Sequence, residues 1–181
     1  MLSQEQRNQL LRIARKSIEA VLEGRSAAIE PTVDDPDLNR LSGAFVSLHR
    51  PDGDLRGCIG SISAVAPLAQ AVSSSAVNAA FRDPRFFPVR REELAGLHIE
   101  ISVMSPIEPV VDISQIEVGR DGLIIQRNGR AGLLLPQVAS ERGWDRETFL
   151  DQTCVKAGLS PDSWRSPGCR IEKFSAEVFS E

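Results

Sequence analysis

Between residues 97 and 103 every second side chain is apolar: Leu97, Ile99, Ile101 and Val103 alternate with His98, Glu100 and Ser102. Side chains of an extended chain point to opposite faces in turn, so this stretch predicts a strand with one buried and one polar face. Residues 43–50 repeat the pattern, with Ala44, Val46 and Leu48 opposed to Phe45, Ser47 and His49. Turn chemistry at Pro51-Asp52-Gly53-Asp54 leads into a second extended stretch, residues 55–62, and predicts a hairpin. Further on, two strand-like runs flank Asn128-Gly129, a pair that accepts positive φ at both central positions of a type I′ turn. Residues 171–179 read as a last strand.

Helical periodicity interrupts these strands. Ser3 and Gln6 form a capping box for a helix over residues 3–23, whose apolar stripe includes Leu10, Leu11, Ala14, Ile18, Val21 and Leu22, with Gly24 at its end. Residues 66–81 give a second helix, rich in Ala and Ser, with Leu68, Val72, Ala76, Ala79 and Ala80 buried; small residues let a neighbouring element approach closely. A short helix is expected at 136–142, and Asp145 caps another that runs to Ala157. Residues 25–41, with Pro31 and Pro36, read as loop or irregular. The order lacks a regular strand–helix–strand alternation, so the fold class is α+β with a mainly antiparallel sheet flanked by helices. Pro106 and Pro109 mark a weak boundary around residues 105–122.

Composition narrows the function classes. In 181 residues, 41% are hydrophobic and 25% charged, the balance of a folded globular chain. With 21 basic and 25 acidic residues the net charge is −4, which disfavours non-specific nucleic-acid binding. A local patch of Arg82, Arg85, Arg90 and Arg91 could still meet an anion, although a solvated surface is the plainer reading. Three cysteines at long spacings suggest neither a disulfide framework nor a zinc ribbon. The N-terminus lacks the apolar segment of a secretory signal, and no apolar run reaches the roughly 20 residues that span a bilayer. A cytoplasmic protein without a membrane role is expected, and no cofactor or metal is called for. Walker, Gly-x-Gly-x-x-Gly, His-Glu-x-x-His and radical SAM cysteine patterns are absent.

The chemistry concentrates in Leu55-Arg56-Gly57-Cys58-Ile59-Gly60. In an extended chain Arg56 and Cys58 share a face, and a guanidinium beside a thiol favours the thiolate. Gly57 and Gly60 permit a bulge or a close backbone approach to a ligand. The plainer alternative is a small buried residue beside glycines that the fold needs. His98 and Glu100 sit about 7 Å apart along one polar strand face. Were that face to meet Cys58, then Cys58 as nucleophile with Arg56, His98 and Glu100 would form an activated-nucleophile set. A strand's polar face turned simply to water is the plainer reading of His98. Cys154 falls on the apolar side of a helix with Phe149 and Leu150, which points to core packing. In Asp83-Pro84-Arg85-Phe86-Phe87 the guanidinium groups and rings could clamp an anionic or planar ligand, with Asp83 and Arg85 as contacts; as a structural device the two rings would instead lid the core.

The hexapeptide resembles the signature of the AMMECR-domain family. Asp83-Pro84-Arg85-Phe86, Ile99-Glu100-Ile101-Ser102-Val103, residues 132–139 and residues 153–159 agree with it, and the likeness runs nearly end to end. Phe87 departs from the family pattern, where proline is expected. The chain is most similar to the family's bacterial branch, the AmmeMemoRadiSam system A proteins. The resemblance implies one α+β domain over residues 1–181 with a larger and a smaller lobe, the smaller built around residues 115–160, and a cleft between them. It also implies a shared pathway with a Memo-like protein and a radical SAM protein, and marks the hexapeptide as the suspected site. It does not supply a reaction. Two roles stand nearly level, an accessory or substrate-binding protein and a small enzyme using Cys58 on a small or peptide-like substrate, with a metal-dependent enzyme as a third reading.

Overall fold

The structure is a computed structural model and describes residues 1–25 and 33–181. The chain forms two compact units, one of residues 1–104 with 177–181, the other of residues 105–176. Each described strand pairing is antiparallel.

In the first unit, α1 (Gln4–Leu22) starts at the expected capping box: the Ser3 hydroxyl accepts from the Gln6 N–H, and the Gln6 side chain accepts from the Ser3 N–H. A short helix α2 (Pro36–Asn39) follows, where an irregular segment was expected. Asp35 explains it, because its carboxylate accepts the Asp37 N–H at 2.8 Å while Pro36 presets the first helical φ. Pro31 lies outside the described residues. Strands β1 (Ala44–His49) and β2 (Leu55–Ser61) form the expected hairpin, and α3 (Leu68–Phe81) packs on both. The short helix α4 (Arg91–Leu94) precedes β3 (His98–Met104), which pairs with the other edge of β1. The strand order is therefore β2-β1-β3.

One face of these strands is apolar and lies under the helices. Val46 and Leu48 of β1 and Ile99 and Ile101 of β3 are fully buried with Leu10, Ala14 and Ile18 of α1 and Leu68, Val72 and Ala76 of α3. Each large aliphatic side chain removed from water in this way contributes about 1.5–3 kcal/mol. The Ser- and Ala-rich face of α3 allows close contact: Ser73 meets Ser17 of α1 at 2.8 Å, and Ser75 donates to the Ala44 carbonyl at 3.2 Å. The last residues of the chain are bound into this unit, with Glu177 paired to Arg7 and Glu181 to Arg15 of α1.

In the second unit, β4 (Glu108–Pro109), β5 (Asp121–Arg127) and β6 (Arg130–Leu134) are followed by α5 (Pro136–Glu141) and α6 (Arg146–Lys156). The last strand, β7 (Arg170–Ser180), pairs with β4 and β5 here and ends in the first unit. The β5–β6 turn has φ of 50° at Asn128 and 76° at Gly129, the two positive values that the Asn-Gly pair implied. Its core gathers Ile116, Leu123, Ile125, Phe149 and Leu150, and Cys154 is sealed among them.

Candidate functional site

The hexapeptide occupies β2, and the pairing of β2 with β1 decides what each of its residues does. Ser47 pairs with Cys58 and Leu48 with Gly57, but His49 pairs with Leu55, so Arg56 is the extra residue of a β-bulge. The bulge interrupts the strict alternation of β2 at Arg56. This corrects the expectation of the Arg56 guanidinium beside the thiol; the arginine that interacts with Cys58 is Arg85. The Arg56 guanidinium instead donates to Glu93 of α4, through Nε at 3.0 Å and Nη2 at 3.1 Å, with a longer contact from Nη2 to the Pro88 carbonyl at 3.5 Å. The Arg56 side chain is only 6% exposed, and its Nη1 has no hydrogen-bond partner among the described residues. An orphan buried donor costs on the order of 1–3 kcal/mol. The Arg56 guanidinium, helped by the Arg90 N–H, holds the Glu93 carboxyl below its usual range.

The glycines are explained by the protein's own packing. A Cβ on Gly57 would lie 2.2 Å from the Ala79 carbonyl oxygen, so α3 rests its backbone on β2 at this point. A Cβ on Gly60 would lie 2.3 Å from the Ala44 carbonyl oxygen and 2.5 Å from the Phe45 ring. At both glycines it is the neighbouring helix or strand of the protein itself that comes close.

Cys58 lies on the sheet face away from α1 and α3 and is half-buried. The Ser47 hydroxyl donates to its sulfur at 3.2 Å. Ser47 also pairs with Glu100 of β3, so Cys58, Ser47 and Glu100 make one row across three strands. With strands about 4.8 Å apart, the Cα atoms of Cys58 and Glu100 are separated by roughly 10 Å. His98 is exposed, two residues further along β3, and pairs with His49. The structure thus puts Cys58, Glu100 and His98 on one face but does not bring His98 or Glu100 to the thiol. The imidazole nearest Glu100 is that of His49, with Nε2 at 4.0 Å from Oε1, beyond hydrogen-bond length, and its Nδ1 at 3.3 Å from the Gly53 carbonyl. Among the described residues no group of three or more His, Cys, Asp or Glu is placed to hold a metal ion.

The backbone of Cys58 is held more firmly than its side chain. The buried carboxylate of Asp83 accepts the Cys58 N–H at 2.9 Å, the Arg85 N–H at 3.1 Å, and the Arg85 guanidinium at 2.9 Å (Nε) and 2.7 Å (Nη2). Arg85 reaches on toward the Cys58 carbonyl at 3.4 Å. The Arg85 guanidinium holds the Asp83 carboxyl far below its ordinary value of 3.8, the Cys58 and Arg85 N–H groups assist, and Asp83 in turn raises Arg85. Asp83 and Arg85 therefore clasp both polar groups of the Cys58 peptide. The Arg85 guanidinium also lies 5.4 Å from the Phe86 ring centre.

Beside this clasp is a hollow of about 640 Å³ walled by Arg50, Arg56, Arg85 and Arg90, with Phe86, Phe87 and Pro88. Glu92 and Glu93 complete it. Two of the four arginines anticipated as an anion patch belong to other surroundings: Arg82 donates to Asn78 at 3.4 Å and Arg91 to the Leu22 carbonyl at 3.1 Å. Sequence reasoning missed Glu93 as the partner of Arg56, and Ser47 as the partner of the thiol. Ser47 was legible as a neighbour, since it shares the His49 side of its strand. Glu93 carried no such signal, being 37 positions away.

Comparison with known proteins adds identity to this geometry. The AMMECR1 family model matches residues 11–179. A protein of Thermococcus gammatolerans is 49% identical over 183 residues, covering 95% of this chain and 88% of its own. One of Methanothermobacter thermautotrophicus is 46% identical over 187 residues, covering 99% and 96%. The crystal structure of an uncharacterised Pyrococcus horikoshii protein superposes with a TM-score of 0.77 at 45% identity, covering 95% of this chain and 89% of that one. These relatives are archaeal, so an assignment to a bacterial branch does not follow from them. With nearly its whole length matched by the family model and by relatives at this identity, the chain belongs to the AMMECR1 family.

Proposed function

We propose that this chain is a non-catalytic accessory protein of the cytosol that binds a substrate or partner protein through the Arg56-Gly57-Cys58-Ile59-Gly60 segment, in a system with a Memo-like and a radical SAM protein. The observation that carries this reading is where the segment's charges go. Arg56 is engaged by Glu93, and Asp83 and Arg85 are engaged with each other and with the Cys58 backbone. A thiol nucleophile is activated by a base within hydrogen-bond reach of its proton or by a neighbouring cation that favours the thiolate. The group beside the Cys58 sulfur is the Ser47 hydroxyl, which donates to it and is no base at neutral pH. The competing reading, a thiolate enzyme, draws on Cys58 being half-exposed while Cys154 is sealed.

The test is co-purification of the untagged full chain with each of the two partner types, in wild type and Cys58→Ala. Retention of a partner in both forms at physiological salt is the expected result. Failure to hold either partner would sink the accessory role. A thiol-dependent turnover lost in Cys58→Ala and in Cys58→Ser would replace it with the enzyme reading.

A further inference from the structure

The arginine-walled hollow is a feature that the accessory role does not require. The chain as a whole is acidic, at −4, yet four arginines and only two glutamates line this one depression. The described ion pairs of the wall are Arg56–Glu93 and Arg85–Asp83. Arg50 and Arg90 take part in neither, and both are exposed. Arg85 uses Nε and Nη2 on Asp83 and leaves more than half of its side chain exposed at 55%. Arg56 stands as a buried, fixed guanidinium in the wall, with Nη1 lacking an acceptor. The same wall carries apolar residues: Phe87 is 89% exposed, and Pro88 lies next to it in the chain.

We propose that this hollow binds a small molecule carrying a phosphate group on a planar or apolar body. Planar guanidinium groups match the oxygens of a phosphate two at a time, and several lining one depression favour a multiply charged oxyanion. The volume of about 640 Å³ falls within the range of small-molecule sites and far exceeds what a phosphate alone fills. The exposed Phe87 ring supplies a surface on which a flat body stacks. Glu92 and the acidic chain as a whole oppose an extended polyanion, so the ligand is a small molecule rather than a nucleic acid strand.

Isothermal titration of the full chain with phenyl phosphate, inorganic phosphate and phenol tests this at low and physiological salt. Phenyl phosphate is expected to bind at least about tenfold more tightly than either fragment, and more weakly as salt rises. Arg56→Ala endangers the fold, so the deciding variant is the surface pair Arg50→Gln with Arg90→Gln. It should weaken phenyl phosphate by about tenfold or more with an unchanged melting temperature. Phe87→Ala should erase the advantage of phenyl phosphate over phosphate. No saturable heat from phenyl phosphate up to about 10 mM would overturn the proposal. So would an affinity that the double arginine variant leaves unchanged, or a single-stranded oligonucleotide that binds and is not displaced by phenyl phosphate.

Discussion

The two faces of the β2-β1-β3 sheet obey different rules, although the same hexapeptide contributes to both. On the helix side, Gly57 receives the α3 backbone and Val46, Leu48, Ile99 and Ile101 are sealed at 0% exposure. On the other side, Cys58, Ser47 and Glu100 are only half-buried and lie side by side across three strands. The bulge at Arg56 stands between the two arrangements and sends a guanidinium to α4. A signature motif can therefore be held in place by three separate demands: packing at Gly57, charge pairing at Arg56, and exposure at Cys58. Substitutions that touch one demand at a time show whether they are separate.

The largest effect belongs to Gly57. Any side chain there must displace the Ala79 carbonyl, a backbone atom that cannot swing away. Gly57→Val should cost more than about 3 kcal/mol, at or above the upper end for overpacked cores, read as the midpoint of urea unfolding. A loss under about 1 kcal/mol would mean that α3 does not press on β2 as described, and the contrast between the faces would fail.

Much of this architecture was legible in the sequence, for local reasons. Strict alternation identified β1 and β3, Asn128-Gly129 fixed the β5–β6 turn, and Ser3 with Gln6 fixed the start of α1. The small residues of α3 foretold its close packing. What the sequence hid depends on register and distance. The glycines of β2 permitted a bulge, but nothing in the pattern placed it at Arg56 or sent that guanidinium to Glu93. The Asp83–Cys58 and Arg56–Glu93 links join positions 25 and 37 residues apart, beyond the reach of any periodicity.

The charge pairing gives the second effect. Glu93→Gln leaves Arg56 buried beside a neutral amide. Removing one partner of a buried pair costs about 3–5 kcal/mol, and the partial exposure of Glu93, at 35%, lowers the expectation to about 2–3 kcal/mol. Urea unfolding measures it. Reverting Arg56 to an apolar side chain in the same background, as Arg56→Met with Glu93→Gln, should recover part of the loss, because the stranded charge is then gone. No recovery would show that the pair shapes the bulge as well as neutralising it.

Asp83 comes third and adds a dependence on pH. Its carboxyl is depressed in the native state, so its contribution is complete above the unfolded value near 3.9 and is lost as pH falls through the lower native value. Asp83→Asn should cost about 2 kcal/mol at pH 7, the scale of hydrogen bonds to a charged group. The gap from wild type should narrow below about pH 4, where the unfolded wild-type chain takes up a proton that native Asp83, with its lowered pKa, does not. Denaturant midpoints at pH 7 and pH 3 measure both values. A gap of constant size would mean that the Asp83–Arg85 clasp acts through shape and not charge.

The smallest stability effect, and the sharpest contrast, concerns the thiols. Cys58→Ala removes one weak sulfur contact to Ser47 at a half-exposed position, and should change stability by less than about 1 kcal/mol. Cys154 is sealed in the second unit, and burial pushes its thiol up; burial raises Cys169 as well. Iodoacetamide under native conditions should therefore modify Cys58 ahead of Cys154, with Cys154 reacting only as the chain unfolds, and peptide mass mapping over time gives the order. Because labelling follows both thiolate fraction and access, the ratio of the Cys58 rate in folded and urea-unfolded protein isolates what the fold adds. A ratio near one fits a thiol left open for binding. A folded rate well above the unfolded one would mean that the polar row activates the sulfur, and would shift the balance toward the enzyme reading at the one position where the two faces of the sheet differ most in chemistry.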